Sequence, residues 1–132
     1  MPTPQTSLCL KSLHPGLISA IEIVLGIMES KGHPMIMIQG VRSVAQQQAL
    51  YAKGRTAPGK IVTQCDGLIK KSRHQIALDG YGHAVDCCFR GPDPFGIKQP
   101  WALFGQTVKS CHLVWGGDFR SPIDLDHAEL PS

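Results

Sequence analysis

The sequence predicts an α+β fold, a small and mainly antiparallel sheet flanked by helices in a single domain over residues 1–132. Three observations carry that expectation. Leu17, Ile18, Ile21, Val24, Leu25 and Met28 recur at helical spacing. Two short apolar runs, Met35–Ile38 and Ala84–Phe89, have the length of buried strands. Helices and strands interleave without the regular strand–helix–strand repeat that a parallel sheet requires. At 132 residues the chain is long enough to bury one core.

Taken in order, Pro15 suits a first helical turn and Gly32 a C-terminal cap, which predicts a helix over 15–31. A strand follows at Met35–Ile38. Gly40-Val41-Arg42-Ser43 turns into a second helix, with Ser43 as its N-cap, Ala45, Ala49, Leu50 and Ala52 along it and Gly54 at its end. Residues 54–60 are loop by composition. Ile61-Val62-Thr63 reads as a short strand, and residues 65–81 as a loop over one face. The run Ala84–Phe89 is a strand that Pro92 and Pro94 end. Pro100 opens a third helix with Trp101, Phe104, Val108 and Cys111. Trp115-Gly116-Gly117-Asp118 reads as a turn, and Leu125–Leu130 as a final strand.

Composition excludes several classes. With 42% hydrophobic and 17% charged residues the chain is globular rather than disordered. Thirteen basic residues against ten acidic give a charge of +3, and Lys70, Lys71 and Arg73 form the one tight basic group, too little for a nucleic-acid partner. Five cysteines, with no Cys-x-x-Cys spacing, predict free thiols rather than a disulfide framework. The N-terminus lacks the charged and apolar regions of a signal peptide. The apolar stretch Leu17–Met28 is interrupted by Glu22 and too short to span a bilayer, so no stable membrane insertion is expected, and a monomer is.

The chemistry-bearing residues are sparse and separated. Ser72-Arg73-His74, Gly82-His83-Ala84-Val85-Asp86 and Asp124-Leu125-Asp126-His127-Ala128-Glu129 together offer histidine nitrogens and carboxylates. A hydrolytic zinc site needs three protein ligands, an open position for water and a nearby base. Any one of these residues alone would be an ordinary surface or capping residue; the combination His74, Asp86 and His127 is what suggests a metal. Strand alternation puts Asp86 on the face of Gly82 and Ala84, with His83 on the other. Asp124, three residues before His127, serves the same site only if the chain bends between them. It is then the candidate base, with Asp126 its rival. Glu129 shares the face of His127 and suits an imidazole-orienting partner. Arg42, between a strand and a helix, is placed to hold a carboxylate or an oxyanion. Ser72 either binds substrate or caps a turn. Trp115 either walls a groove or packs in the core.

In order, these motifs resemble the zinc D,D-peptidase and L-alanyl-D-glutamate endopeptidase family, which includes many phage endolysins. The resemblance runs through Arg42-Ser43, Gln46 to Gln48, Leu50-Tyr51-Ala52-Lys53-Gly54-Arg55-Thr56 and Pro58-Gly59-Lys60-Ile61-Val62-Thr63. It continues through the split motifs above and the Trp115–Asp118 turn, over about residues 36–130. It implies zinc on His74, Asp86 and His127, Asp124 as catalytic base, and Arg42 and Ser72 at substrate or the transition state. The implied activity is hydrolysis of peptidoglycan stem peptides, most simply at the L-Ala–D-Glu bond. The implied setting is an endolysin held in the host cytoplasm and released to the wall or periplasm with help from a partner such as a holin. A D-Ala-D-Ala carboxypeptidase or dipeptidase, or a non-catalytic peptidoglycan-binding module, is the alternative. Here the segment from His74 to Gly82 is about five residues longer than the family spacing, which leaves His83 as an alternative ligand. Leu125-Asp126 stands where a proline is common, and Ala128 where an aromatic is usual.

Overall fold

Helix α1 (Pro15–Ser30) begins where Pro15 presets the backbone and the Nδ1 of His14 accepts the amide of Gly16 at 2.9 Å. Its apolar stripe becomes its buried face, with Leu17, Ile21, Val24 and Met28 fully enclosed. The computed structural model describes residues 11–120 and 122–132, so the reading of the N-terminus and of Cys9 lies outside the described residues. Strand β1 (Met35–Gln39) follows, then α2 (Val44–Ala52), capped reciprocally by Ser43 and Gln46. Strand β2 (Ala84–Phe89), α3 (Trp101–Ser110), the two-residue β3 (Val114–Trp115), a 3-10 turn (Gly116–Asp118) and β4 (His127–Glu129) complete the chain.

The four strands form one antiparallel sheet in the order β1-β2-β4-β3, as an α+β fold requires. Alternation divides its faces. Met35, Met37, Val85, Cys87, Phe89 and Ala128 turn inward and pack against Leu17, Ile21, Val24 and Met28 of α1 and Trp101, Phe104 and Val108 of α3. Asp86, His127 and Glu129 turn the other way. The sheet is thus a wall with a hydrocarbon core behind it and polar chemistry in front.

Trp115 fastens the far edge. Its indole lies so close over Gly105 of α3 that a Cβ there would come within 2.3 Å of the ring, and its Nε1 donates to the carbonyl of Leu125 at 2.8 Å. It is a packed residue rather than the wall of a groove. Cys65, Cys88 and Cys111 are free thiols, as composition suggested.

Two strand expectations are corrected. Ile61-Val62-Thr63 is not a strand: Ile61 and Val62 are 49% and 44% exposed. Its polar groups are taken by side chains instead, the Thr63 carbonyl by Arg55 and the Thr63 hydroxyl by Gln47. The last strand is His127–Glu129 rather than Leu125–Leu130, because Leu125 and Asp126 form a turn. The second helix also stops at Ala52, short of Gly54.

Phe104 is fully buried in the core whereas Ile23 on the outer side of α1 is 57% exposed. Phe104→Ala is expected to cost about 3–5 kcal/mol. Ile23→Ala is expected to change stability by no more than about 0.5 kcal/mol. Urea unfolding of the two variants compares them directly.

Candidate metal centre

Pairing of β2 with β4 sets Asp86 directly opposite His127, on the polar face. The third member, His74, comes from the long loop between α2 and β2 and is pinned from several sides. Its Nδ1 donates to the carbonyl of Gly40 at 2.9 Å, which fixes the tautomer and leaves Nε2 as a lone pair. Its amide donates to the Ser72 hydroxyl at 3.2 Å, and its carbonyl accepts from the amide of Arg42 at 2.8 Å. The amide of His83 donates to the carbonyl of Arg73 at 2.9 Å, tying the segment to the start of β2.

The extra residues do not displace His74. Ala77 and Tyr81 close a turn, amide to carbonyl at 2.9 Å, which projects Leu78 fully into solvent while both ends of the loop stay fixed. His83 stands outside the group: its Nε2 is 2.6 Å from Asp79 Oδ2, and its ring meets that of His14 edge-on at 5.5 Å.

Three atoms converge without hydrogen-bond partners, all buried: His74 Nε2, Asp86 Oδ1 and His127 Nδ1. The two ring nitrogens lie 3.3 and 3.4 Å from that oxygen, and the three atoms fall within 4.8 Å of one another. A buried polar atom left unpaired costs about 1–3 kcal/mol. Three such atoms aimed at one point could hold a divalent cation, and two imidazole nitrogens with one carboxylate are donors of the kind that suits zinc.

A second layer of contacts orients the ligands. His127 Nε2 donates to Glu129 Oε1 at 2.8 Å. Glu129 Oε2 accepts from Arg73 Nε at 3.1 Å, and Arg73 Nη2 donates to the carbonyl of Leu130 at 2.8 Å. Phe119 lies against the His127 ring at 5.4 Å. Glu129 therefore does what its strand register suggested, orienting an imidazole.

Asp124 reaches the same point through the bend that alternation demanded. The amide of His127 donates to the Asp124 carbonyl at 3.2 Å, and the amide of Asp124 donates to the carbonyl of Gly116 at 2.9 Å. No side chain fits at Gly116, where a Cβ would stand 2.2 Å from the Asp124 carbonyl oxygen. The carboxylate ends 3.6 Å from His127 Nδ1 and is 46% exposed, at the mouth of the site.

Arg42 points inward. Its Nη1 donates to Gln47 Oε1 at 2.7 Å, its Nη2 is 3.7 Å from Asp86 Oδ2, and its buried Nε has no partner. Gln47 is fully buried, the one such residue of α2. Its amide nitrogen donates to the Cys65 carbonyl at 2.8 Å, so it joins Arg42 to the loop. Gln75 does similar work, accepting from the Ser72 amide at 2.9 Å and donating to the Gly67 carbonyl at 3.0 Å. Sequence reasoning does not single out Gln75, nor Arg73 as the partner of Glu129, and it names Gln47 only within the Gln46 to Gln48 stretch, without a role. A polar residue on the inward side of the short α2 helix was the available signal for Gln47. Arg42, Ser72, His74, Asp86, Asp124 and His127 front a cleft of about 570 Å³, which Gln47 and Gln75 do not line.

In the metal-free protein the charges are strongly coupled. Burial opposes a charged His127, but Asp86 and Glu129 outweigh it and lift the imidazole to about 9. Burial, with Asp124 and Asp86 nearby, pushes Asp126 up to about 9, so this rival base keeps its proton at neutral pH. Burial would raise Asp86 as well, yet the two histidines hold it well below the usual carboxylate range. Glu129 is also lowered, by His127 and Arg73 against its burial.

No protein-family model matches the chain. It is 28% identical over 141 residues to the peptidoglycan L-alanyl-D-glutamate endopeptidase CwlK of Bacillus subtilis (strain 168), spanning 98% of this chain and 77% of CwlK. The L-Ala D-Glu endopeptidase ChiX of Serratia marcescens shares the fold at a TM-score of 0.59 and 22% identity, over 98% of this chain and 88% of that one. The vancomycin-resistance D,D-pentapeptidase VanY, solved with Zn(II), matches at 0.60 and 14% identity over 89% of this chain and 72% of its own. The D,D-dipeptidase VanXYg matches at 0.61 and 16% identity, over 89% of this chain and 50% of its own. The class is therefore the α+β fold of these peptidases. The likeness to CwlK and to this fold supports the resemblance to the zinc D,D-peptidase and L-alanyl-D-glutamate endopeptidase family that the motifs carry.

The pH dependence of the metal-free protein follows from the raised groups. His127 binds its proton more tightly folded, at about 9, than unfolded, at 6.5. That contribution is complete below pH 6.5 and is lost as pH rises to about 9. Asp126, also raised, acts in the same direction. Urea midpoints of chelator-treated protein are expected to fall across this window; a flat or rising profile would contradict the charge arrangement.

Proposed function

We propose that the chain is a zinc metallopeptidase that hydrolyses peptidoglycan stem peptides at the L-Ala–D-Glu bond. The observation that carries this reading is the trio of buried, unpartnered ligand atoms of His74, Asp86 and His127 at the base of an open cleft. The sequence likeness to CwlK supports the substrate. His74, Asp86 and His127 would hold zinc, which when bound supplies a Lewis acid for the scissile carbonyl and acidifies a water.

The chain's own groups supply the rest. Asp124, half exposed beside His127 Nδ1, takes a proton from the attacking water and returns it to the leaving amine. The unpartnered Nε of Arg42 is a buried donor available to the developing oxyanion or a substrate carboxylate, and Gln47 holds the guanidinium in place. Ser72 accepts from the His74 amide through its hydroxyl oxygen, and its own proton is available to substrate from the cleft wall. The proposed unit is the single catalytic domain of residues 1–132, acting as a monomer. The proposed setting is a phage or prophage endolysin that waits in the host cytoplasm and reaches the wall through a holin-type partner. Among the described residues no helix is long and apolar enough to cross a membrane.

Two experiments test the assignment. Zinc content of purified protein is expected to be stoichiometric in wild type and His83→Ala and lost in His74→Ala; the reverse pattern would move the ligand to His83. Asp124→Ala is expected to retain zinc while stem-peptide cleavage falls by about 10²–10⁴-fold, the usual contribution of a general base. Full activity in that variant removes Asp124 from the mechanism. Release of free D-Ala instead of cleavage after L-Ala would shift the substrate to the D,D-peptidase alternative.

A further inference from the structure

Of the basic group that the sequence singled out, Arg73 serves the candidate metal centre through Glu129, whereas Lys70 and Lys71 do not. Lys70 and Lys71 line the cleft from the loop that leads to His74. Arg120 lines it from a separate segment, next to Phe119, whose ring packs on His127. All three are exposed, and none has a carboxylate partner among the described residues. Lys71 Nζ only reaches the Ile76 carbonyl, at 3.5 Å. The other two cations of the cleft are engaged, Arg42 with Gln47 and Asp86 and Arg73 with Glu129. Three cations without carboxylate partners among the described residues thus line, from two segments, a cleft in which Asp86 and Glu129 are nearly buried and Asp124 is half exposed.

We propose that Lys70, Lys71 and Arg120 form a carboxylate-recognition subsite, and that the chain selects stem peptides whose D-glutamate α-carboxylate is free over those in which it is amidated. This rests on the peptidase reading above. In an L-Ala–D-Glu linkage the carbon bearing the scissile nitrogen also carries the α-carboxylate, because the chain continues through the γ-carboxyl. An amide bond seated at the trio of ligands therefore brings that carboxylate to within a few ångströms of the same point, where a cation on either wall can meet it. Amidation removes the charge and turns two of its lone pairs into donors, which face cationic donors unfavourably. The same preference weakens as salt screens the exposed pairs.

The test uses zinc-loaded protein and two synthetic stem peptides that differ only in a free or amidated α-carboxyl on D-glutamate. Wild type is expected to favour the free acid by about tenfold in kcat/KM, carried by KM, as two partly exposed charge-assisted contacts allow. In the double variant Lys71→Met, Arg120→Met that ratio is expected to collapse toward one, and in Lys71→Arg to persist. Because all these side chains are exposed, thermal unfolding monitored alongside separates a lost preference from a lost fold. Equal kcat/KM for the two peptides in wild type, or an unchanged ratio in the double variant, overturns the subsite while leaving the peptidase in place. Cleavage of neither peptide overturns the peptidase reading and the subsite together.

Discussion

The register between β2 and β4 is the constraint on which the rest depends. In an antiparallel pair, residues directly opposite share a face, and here Asp86 faces His127 while Val85 faces Ala128. One pairing thus buries an apolar couple in the core and sets a carboxylate beside an imidazole on the other face. A slip of one residue would exchange the faces, burying charge against α1 and α3. The hydrocarbon contacts of Val85, Cys87 and Ala128 therefore hold the polar pair in place, although none of them touches it chemically.

His74 shows how a loop residue gains the precision of a strand residue. Backbone groups do most of the holding: the Gly40 carbonyl fixes the ring, and the Arg42 amide fixes the residue's own carbonyl. The β1–α2 connection that carries Arg42 is itself fixed by the Ser43–Gln46 capping box and by buried Gln47. Helix α2, which contributes little to the main core, serves chiefly to position the guanidinium and the cleft wall.

What the sequence disclosed follows the range of the forces involved. Helix ends, the Ser43 cap and the two faces of β2 are set by neighbours a few residues away, and periodicity exposes them. The bend between Asp124 and His127 was deducible, because three residues on a strand could not otherwise face one site. Ile61-Val62-Thr63 misled because β-branched residues favour a strand only when a partner strand exists; here Arg55 takes the Thr63 carbonyl that a ladder would use, while Gln47 binds the Thr63 hydroxyl. The Arg73–Glu129 pair joins segments far apart in the chain and no local pattern announces it; for Gln47 the inward place on α2 is locally legible, but its bond to the Cys65 carbonyl is not.

The tripeptide Ser72-Arg73-His74 grips the imidazole of His127 from both ends. His74 stands beside its Nδ1 side through Asp86, while Arg73 reaches its Nε2 side through Glu129. Any displacement of this loop would disturb both nitrogens of the ring at once. The loop and β4 are thus tied to each other through both nitrogens of one ring. On the facing side Trp115 holds the Leu125 carbonyl, and the Gly116 carbonyl accepts from the amides of Phe119 and Asp124. The imidazole of His127 and the carboxylate of Asp124 are therefore positioned by two different sets of backbone anchors, one in the His74 loop and one at the Trp115–Gly116 turn.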